Sequence, residues 1–412
     1  MNVASRSVRA AALAAGALLA GACESGEVAS VGAPTAARPT SVTVDPSSRY
    51  LYVANFKSNN ISAYRIDVAA GALRAVAGSP FAAGTQPFSV TIVPSGRYAF
   101  VANQFSGNVS AYRIDAASGA LQPVPGSPFP AGTRPFAVTV DPSGDFAYVA
   151  NMGSSDVSAY RIDAATGKLS AVAGSPFRTA MLPRLVTVDA AGRFAYVAGN
   201  ASHDVWAYRI DGASGALSLL PGSPFSAGRG ALSVTLDARG RFAYVANPLA
   251  NSISAYRVDG ASGALLPVAG SPFSAGKFPS SVTVDPSGRF AYVANHFSNS
   301  VSAYRIDGDT GELIAVSGSP FAARTAPVSV SVDPSGLLAY VANRSSNDVS
   351  AYRIDALTGA LKDVTGSPFA AGTDPGAVAI DPTGRFAYAA NLRSNDVSSY
   401  AIDTDSGALR RR

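Results

Sequence analysis

The chain of 412 residues is poor in charged side chains, at 14%, and contains 39 glycines and 27 prolines. This composition is typical of one uniform body of short strands and tight turns. The formal net charge of +5 is matched by the arginines near the two ends, Arg6, Arg9, Arg410, Arg411 and Arg412. A body close to neutral excludes the clustered basic face on which nucleic-acid binding depends.

Residues 1–22 have the pattern of an export signal. Arg6 and Arg9 precede the apolar run AALAAGALLAGA, which is too short to span a bilayer permanently. The run ends at Cys23, the only cysteine, in the place where bacterial lipoprotein signals carry the cysteine that becomes lipidated. Ala20 stands where leucine is usual, so simple secretion and an uncleaved cytoplasmic protein are the alternatives. We predict an exported protein of the outer membrane or periplasm, held by a lipid anchor rather than a spanning helix.

Residues 23–38 follow as the lipidated cysteine and a small, polar tether. The remaining residues, 39–412, form a single domain built from an internal repeat. The tetrapeptide GSPF recurs every 48 residues, beginning at Gly78, Gly126, Gly174, Gly222, Gly270, Gly318 and Gly366. The asparagine that closes the segment VTVDPSGRFAYVAN recurs at Asn55, Asn103, Asn151, Asn247, Asn295, Asn343 and Asn391, and Gly199 fills the remaining copy. The domain therefore has eight units.

Each unit has the pattern of four short strands bounded by turn residues. In the third unit these are FAVTV, FAYVAN, VSAYRID and LSAVAGSPF, separated by DPSGD, MGSSD and AATGK. Four antiparallel strands per unit predict an all-β fold, a β-propeller of eight four-stranded blades of 48 residues. A seven-bladed ring and an open β-solenoid are the alternatives. We expect GSPF to end the fourth strand and its phenylalanine to pack between neighbouring blades.

Closure of the ring poses a problem at the eighth unit, whose fourth strand is reduced to ALRRR. An unclosed ring leaves exposed strand edges. We hypothesise that residues 27–32, EVASVG, pair beside this strand and close the ring.

The repeat resembles the YVTN-type repeats of bacterial lactonase-like propellers, the group that includes 6-phosphogluconolactonase-like proteins. YVAN at Tyr52, Tyr148, Tyr244, Tyr292 and Tyr340 stands where that family has YVTN, and the second unit has FVAN at Phe100. The resemblance covers nearly the whole domain and implies a propeller, commonly of seven blades. It implies either lactone hydrolysis or a non-enzymatic surface role, because the shared residues build blades and the family holds both kinds of protein.

Lactone hydrolysis needs a group that activates water and a group that stabilises the oxyanion. The resemblance implies that a histidine, a glutamate and an arginine from different blades supply them. The domain holds two histidines, His203 and His296, and one glutamate, Glu312, and no such cluster can be carried over residue by residue. Because equivalent blades present the same residue eight times, a site is expected where the units differ.

The units differ mainly in two loops, one after VAN and one before the first strand, and both are expected on the same face. The position after the proline of the second loop holds Thr40, Phe88, Phe136, Arg184, Leu232, Ser280, Val328 and Gly376. The position before it holds Arg38, Gln86, Arg134, Leu182, Gly230, Phe278, Ala326 and Asp374. We expect these residues to ring the channel mouth, where they form a binding funnel or simply vary because nothing packs on them.

The fourth unit is the most irregular, and it brings His203 and the only tryptophan, Trp206, to one blade. We predict Arg184 and His203 as candidate catalytic residues. The predicted ligand-binding residues are Phe88, Arg134, Phe136, Arg184, His203, Trp206 and His296. Two histidines without nearby cysteine or glutamate make a poor metal site, so we expect neither a metal nor a cofactor.

The favoured function is binding or scaffolding at the cell envelope through this loop face. The partner is expected to be an unidentified protein or a small carbohydrate-like ligand, with no nucleic acid and with membrane contact only through the lipid anchor. A monomer is expected. The alternative is a lactone hydrolase with its site near Arg184 and His203.

Overall fold

The computed structural model describes residues 38–412, which form a closed ring of eight blades. Each blade is an antiparallel sheet whose strands follow one another from the channel outward. The prediction of an eight-bladed all-β propeller is confirmed, and residues 1–37, with Cys23 and the segment 27–32, lie outside the described part of the chain.

The strands are equivalent from blade to blade. The first strands are Pro39–Val44, Pro87–Ile92, Pro135–Val140, Pro183–Val188, Val234–Leu236, Pro279–Val284, Pro327–Val332 and Pro375–Ile380. The second strands are Tyr50–Asn55, Tyr98–Asn103, Phe146–Asn151, Phe194–Gly199, Phe242–Asn247, Phe290–Asn295, Leu338–Asn343 and Phe386–Asn391. The third strands are Asn60–Ile66, Asn108–Ile114, Asp156–Ile162, Asp204–Ile210, Ser252–Val258, Ser300–Ile306, Asp348–Ile354 and Asp396–Ile402.

The outer edge of each blade consists of two short segments. The first segments are Leu73–Ala75, Leu121–Pro123, Leu169–Ala171, Leu217–Leu219, Leu265–Pro267, Leu313–Ala315, Leu361–Asp363 and Leu409–Arg411. The second segments, present in blades 1 to 7, are Phe81–Ala82, Phe129–Pro130, Phe177–Arg178, Phe225–Ser226, Phe273–Ser274, Phe321–Ala322 and Phe369–Ala370. A single 3₁₀ turn, Pro248–Ala250, lies among the described residues.

The position of GSPF differs from the expectation. In blade 3 both Leu169–Ala171 and Phe177–Arg178 pair with the third strand, at its two ends. GSPF therefore interrupts the outer edge instead of ending it. Ser175 of this tetrapeptide accepts a hydrogen bond from the Ala159 N–H at 2.9 Å, which ties the interruption to the third strand. The phenylalanine packs against the cluster between two blades, as expected.

The hairpin turns follow from their sequence. In blade 3 the Asp141 carboxylate accepts a hydrogen bond from the Phe146 N–H at 2.8 Å, and Gly144 adopts φ of 82°. An aspartate that caps its own turn, followed by proline and a glycine at positive φ, stabilises a tight connection between strands. The second strand that follows is completely buried, because blades pack on both of its faces.

Eight apolar clusters of the core lie at the seams between neighbouring blades, one at each seam, and a ninth surrounds Phe88 and Phe136. At the seam of blades 3 and 4, the Tyr148 hydroxyl donates to the Gly215 carbonyl at 3.0 Å, and Thr139 donates to Val186 at 2.7 Å. A Cβ at Gly215 would lie 2.2 Å from the Phe146 ring, so this position needs glycine.

The tyrosine bond occurs at six of the eight seams and the threonine or serine bond at seven. The seam of blades 8 and 1 has neither, because the Tyr388 hydroxyl has no hydrogen-bond partner among the described residues and Ala379 replaces the threonine.

The seam between blades 8 and 1 is closed by described residues. Gly71 lies against the Phe386 ring as Gly215 lies against Phe146, and the Arg38 N–H donates to Asn395 Oδ1 at 2.7 Å. The last segment, Leu409–Arg411, pairs with the third strand of its own blade. Whether residues 27–32 add to this edge lies outside the described residues. Within residues 38–412 no helix is long and apolar enough to cross a membrane.

Candidate functional site at the channel mouth

Two sets of loops share one face of the ring, here called the loop face. They are the loops between second and third strands and the connectors that lead into each first strand. In blade 3 the Ser154 hydroxyl accepts from the Thr133 N–H at 3.0 Å, and the Met152 N–H donates to the Arg134 carbonyl at 2.9 Å. The loops that vary most between units are therefore in direct contact.

The residue before the first strand is held in the same backbone conformation in every blade. The φ values at Arg38, Gln86, Arg134, Leu182, Phe278, Ala326 and Asp374 lie between 48° and 63°, and Gly230 has 82°. This left-handed region is costly for residues other than glycine. An asparagine of the preceding blade compensates in five seams by accepting the backbone N–H, as Asn347 does from Asp374 at 2.8 Å. The backbone is thus fixed while the side chain is free to vary.

One half of the mouth, in blades 1 to 4, is aromatic. The rings of Phe88 and Phe136 stack at 4.1 Å, and Phe56 meets Phe88 edge-on at 6.1 Å. The Arg184 guanidinium lies over the Phe136 ring at 5.4 Å. Phe88 and Phe136 are only 3% exposed. The structure brings together three of the predicted ligand-binding residues, Phe88, Phe136 and Arg184. The two phenylalanine rings are buried against each other and expose little surface to a ligand.

The other half, in blades 6 to 8 and here called the polar half, holds an ion pair as well as the rings of Phe278, His296 and Phe297, whose centroids lie 4.8 to 5.9 Å apart. The Asp374 carboxylate receives Arg344 through Nε at 2.5 Å and through a terminal nitrogen at 3.4 Å. Arg393 approaches the same carboxylate at 3.4 Å. The side chains of Arg344 and Asp374 are only 15% and 10% exposed. A pair buried to this degree pays a desolvation penalty, so stability alone is a weak reason for its presence.

His296 belongs to this polar half. Burial lowers the pKa of its imidazole, and the positive charge of Arg344 lowers it further. The Pro327 backbone and Asp374 act in the opposite direction but do not reverse the shift. The ring is therefore neutral at neutral pH. Like any neutral imidazole, it has one ring nitrogen that donates a proton and one that accepts a proton.

His203 occupies the position of the bridging asparagine. Its Nδ1 accepts the Gly230 N–H at 3.0 Å, just as Asn59 accepts that of Gln86 at 2.8 Å. The histidine thus links blade 4 to blade 5, whereas Arg184 contacts blade 3. These two predicted catalytic residues serve opposite seams of their blade.

Trp206 and Gly199 are two linked departures of blade 4 from the repeat. In blade 3 the Asn151 amide donates to Asp156 at 2.6 Å and to Ser158 at 2.9 Å. Blade 4 has glycine in place of that asparagine and tryptophan in place of that serine, and the Trp206 Nε1–H donates to Asp204 at 3.2 Å instead. The two replacements compensate each other, because the indole supplies the donor that the missing amide supplied elsewhere.

Arg134 lies apart from both halves and is exposed. It lines a groove of 680 Å³ on the loop face between the loops of blades 2 and 3, together with Gln86, Gln104 and Phe105. The groove is open and holds both polar and aromatic side chains, which suits a ligand with hydroxyl groups.

The sequence analysis named His296 as a candidate ligand-binding residue but did not name Arg344, which lies beside it. The residue directly after the recurring asparagine varies as Phe56, Gln104, Met152, Asn200, Pro248, His296, Arg344 and Leu392. This position holds both His296 and Arg344. Its variation between units was the sequence signal that could have predicted a third ring of residues at the channel mouth. Within residues 38–412 no group of three histidine, cysteine or acidic side chains is placed to hold a metal ion.

Comparison with known proteins gives the fold and the family. A periplasmic gluconolactonase of Pseudomonas aeruginosa, PpgL, shares 26% identity and a TM-score of 0.54 over 70% of this chain and 88% of its own. A candidate 6-phosphogluconolactonase of Bacteroides uniformis shares 17% identity and a TM-score of 0.63 over 81% and 96%. No curated protein sequence matches the chain.

A family model described as "Lactonase, 7-bladed beta-propeller" matches residues 20–134, 123–231, 218–331 and 314–412. The matches together span the whole described ring, and the ring departs from the family's description by having eight blades. On this evidence the chain belongs to the lactonase family of β-propellers.

Proposed function

We propose that this protein hydrolyses lactones of sugar acids at the channel mouth of the loop face. The observation that carries the proposal is the convergence of a neutral His296 with the ion pair of Arg344 and Asp374, contributed by successive blades. Lactone hydrolysis needs a proton acceptor and a cationic hydrogen-bond donor within one small site, and this half of the mouth supplies both.

His296 acts first as a general base. It takes a proton from water while the oxygen of that water attacks the lactone carbonyl carbon. The ring C–O bond then breaks, and the leaving alkoxide receives a proton from the imidazolium, which restores neutral histidine. A base that is neutral at the working pH is ready for this cycle.

Arg344 stabilises the negative oxygen of the tetrahedral intermediate. A guanidinium has five N–H groups, and Asp374 engages one on Nε and one on a terminal nitrogen. The others remain for the oxyanion. Asp374 holds the guanidinium in one orientation, so it is a positioning residue rather than a reacting one.

The relatives support the reaction class. PpgL, at 26% identity, is a periplasmic gluconolactonase, and the family itself is named for lactonase activity. The export signal proposed for residues 1–22 would place this chain in the same compartment, away from cytoplasmic sugar phosphate metabolism. We propose lipidation at Cys23 on the same sequence grounds. Mass spectrometry of the mature N-terminus tests it, and an unmodified or uncleaved N-terminus contradicts it.

Binding without turnover is the second candidate, and the groove beside Arg134 favours it. That groove lies outside the polar half of the mouth. In this case the loop face holds a carbohydrate-like ligand or a protein, and the repeated blades act as a scaffold.

The deciding experiment is acid release from a panel of sugar lactones, with and without phosphate groups, measured against their spontaneous opening. The expected result is hydrolysis that scales with protein concentration and disappears in His296→Gln. Inactivity across the panel contradicts the hydrolase. Calorimetric titration of the corresponding aldonic acids then tests binding.

A further inference from the structure

A cavity of 210 Å³ lies at the seam of blades 4 and 5, on the face opposite the loop face. The turns that follow the first strands of these two blades form most of its wall. Its lining includes Asp189, Ala190, Ala191 and Arg193 of blade 4, and Arg239 and Gly240 of blade 5. The volume exceeds the roughly 150 Å³ that holds a benzene molecule. The cavity is therefore large enough for a small organic molecule.

The cavity exists because blade 4 lacks a proline ring of the repeat. The turn after the first strand has proline in six units, whereas Ala190 and Ala238 replace it in blades 4 and 5. At the seam of blades 2 and 3, a Cβ on Gly144 would lie 3.6 Å from the Pro94 ring. A Cβ on the equivalent Gly240 would have no heavy atom within 4 Å. The space that the proline ring fills at other seams is therefore open beside Ala190.

Blade 4 also lacks a hydroxyl group of the repeat at this place. In five units the serine or threonine after the proline donates to Oδ2 of the turn aspartate, as Ser335 does to Asp333 at 2.5 Å. Blade 4 has Ala191 at this position. Two backbone N–H groups donate to Oδ1 of Asp189, but within the described ring Oδ2 meets only Arg193 Nε, at 3.8 Å. Asp189 thus has an acceptor oxygen without the hydroxyl donor that its equivalents have.

Blade 5 replaces the same serine by arginine. Arg239 lines the cavity and is exposed to solvent. The aspartate of its own turn, Asp237, is engaged instead by Arg241, whose Nε lies 3.8 Å from Oδ2. The other arginine of the cavity, Arg193, donates to the Gly260 carbonyl at 3.1 Å and so is held by the fold. Of these two arginines, Arg239 is the one whose positive charge is available to a ligand.

We propose that this cavity binds a small hydroxy acid. The carboxylate of the ligand accepts hydrogen bonds from the Arg239 guanidinium, and a hydroxyl group of the ligand donates to Oδ2 of Asp189 in place of the missing serine. Its carbon atoms fill the space of the missing proline ring, beside Phe194. A neutral polyol would leave Arg239 without an anion, and a simple carboxylate would leave the Asp189 acceptor unused. Binding here does not depend on the proposed hydrolysis, since the cavity and the channel mouth lie on opposite faces.

Calorimetric titration of the full chain tests the proposal, with D-glycerate as the probe. Two compounds of the same chain length separate its parts. Propionate lacks the hydroxyl groups and glycerol lacks the charge, so each should bind at least about tenfold more weakly than glycerate. Propionate or inorganic phosphate bound as tightly as glycerate overturns the assignment to a hydroxy acid.

Three single substitutions restore the residue of the repeat, and each removes one feature of the cavity. Ala190→Pro fills the open space, Ala191→Ser supplies the missing hydroxyl, and Arg239→Ser removes the cation. Each should weaken glycerate binding by about tenfold. The matched control is Ala238→Pro, the same replacement in the next blade, which should bind glycerate as the parent does.

Thermal melts verify that the variants fold, as expected for residues that equivalent turns of this ring already contain. Absence of glycerate binding to the parent overturns the proposal. Binding unchanged by Ala190→Pro or by Arg239→Ser also overturns it, because the ligand then lies elsewhere on the ring. Equal weakening by Ala190→Pro and Ala238→Pro contradicts the location at the seam of blades 4 and 5.

Discussion

The two halves of the channel mouth use equivalent positions for opposite purposes. The residue after the recurring asparagine is, for example, Phe56 in the aromatic half and His296 or Arg344 in the polar half, whereas Phe88 and Phe136 correspond to Ser280, Val328 and Gly376. The aromatic half buries its side chains against each other, and the polar half keeps a neutral imidazole beside a buried ion pair. At the residue before the first strand, identity can change because the backbone conformation is the same in every blade and is held in six seams by a side chain of the preceding blade.

This comparison shows that the backbone framework of the mouth stays the same while the chemistry of its side chains changes. The left-handed φ and the bond to the preceding blade recur whether the side chain is arginine, alanine or aspartate. We therefore expect the aromatic half to govern stability and the polar half to govern activity.

The largest effect should come from His296→Gln, which removes the base but keeps a polar side chain. We expect kcat on the active lactone to fall about 10²- to 10⁴-fold while the melting temperature stays close to that of the parent. Steady-state kinetics measure this loss. Loss of turnover in His203→Asn, with turnover kept in His296→Gln, would move the site to blade 4.

Phe88→Ala should destabilise the protein by about 3 to 5 kcal/mol, since it opens a cavity in the buried stack with Phe136 and Phe56. Urea unfolding measures the change. Phe105→Ala is the matched control, because that ring is 75% exposed, and it should stay within about 0.5 kcal/mol. Equal effects of the two substitutions would break the assignment of stability to the aromatic half.

Asp374→Asn should cost about 3 kcal/mol in unfolding free energy, because it leaves the buried Arg344 without its counter-charge. Asparagine tolerates the left-handed φ of 63° at this position, so the change isolates the charge. It should also lower activity by loosening Arg344. A variant as stable and active as the parent would show that the ion pair neither stabilises the fold nor positions Arg344.

The pH dependence should report the environment of His296. Its pKa lies below the ordinary value, first through burial and then through Arg344. The acid limb of kcat/KM should therefore fall below pH 6.5, since the base works only when neutral. Arg344→Gln removes a positive neighbour and leaves Asp374 with Arg393 alone, so the pKa of His296 should rise. NMR titration in a His203→Asn background follows the one remaining histidine, and an unchanged or lower pKa would contradict the proposed arrangement.

The smallest effect should come from His203→Asn, within about 0.5 kcal/mol of the parent. Asparagine already bridges the equivalent seams through Asn59, Asn251, Asn299, Asn347 and Asn395. His203→Ala should instead cost about 1 to 3 kcal/mol, since the Gly230 N–H loses its acceptor. Urea unfolding compares the two, and an equal cost for both would remove the bridging role.

The sequence predicted the framework of blades and turns well because this framework is repeated in every unit. The turn after the first strand begins with aspartate in seven of the eight units, and the equivalent of Gly215 is glycine in all eight, so each reports a local requirement that recurs with the 48-residue step. The split outer edge was missed because GSPF breaks strand pairing and the resumption is only two residues long, too short for an alternating pattern.

The site was harder to predict because it depends on contacts that are not repeated. Arg344 and Asp374 are 30 residues apart and lie in different loops. Their common face followed from the repeat, but their pairing did not. Likewise, the 48-residue spacing of Phe88 and Phe136 indicated adjacent blades, whereas their near-complete burial follows from the stack itself.

The contact of a turn glycine with an aromatic ring joins blade 8 to blade 1 as it joins blade 3 to blade 4. The glycine contact therefore closes the ring as it joins its interior seams, although the closing seam lacks the tyrosine and threonine hydrogen bonds found at most other seams. A circular permutant opened in any exposed turn should fold to the same ring, and a duplicated unit can enter at any seam without new joining chemistry. Blade number can then change by whole 48-residue units, as the eight blades of this ring in a family described by seven illustrate.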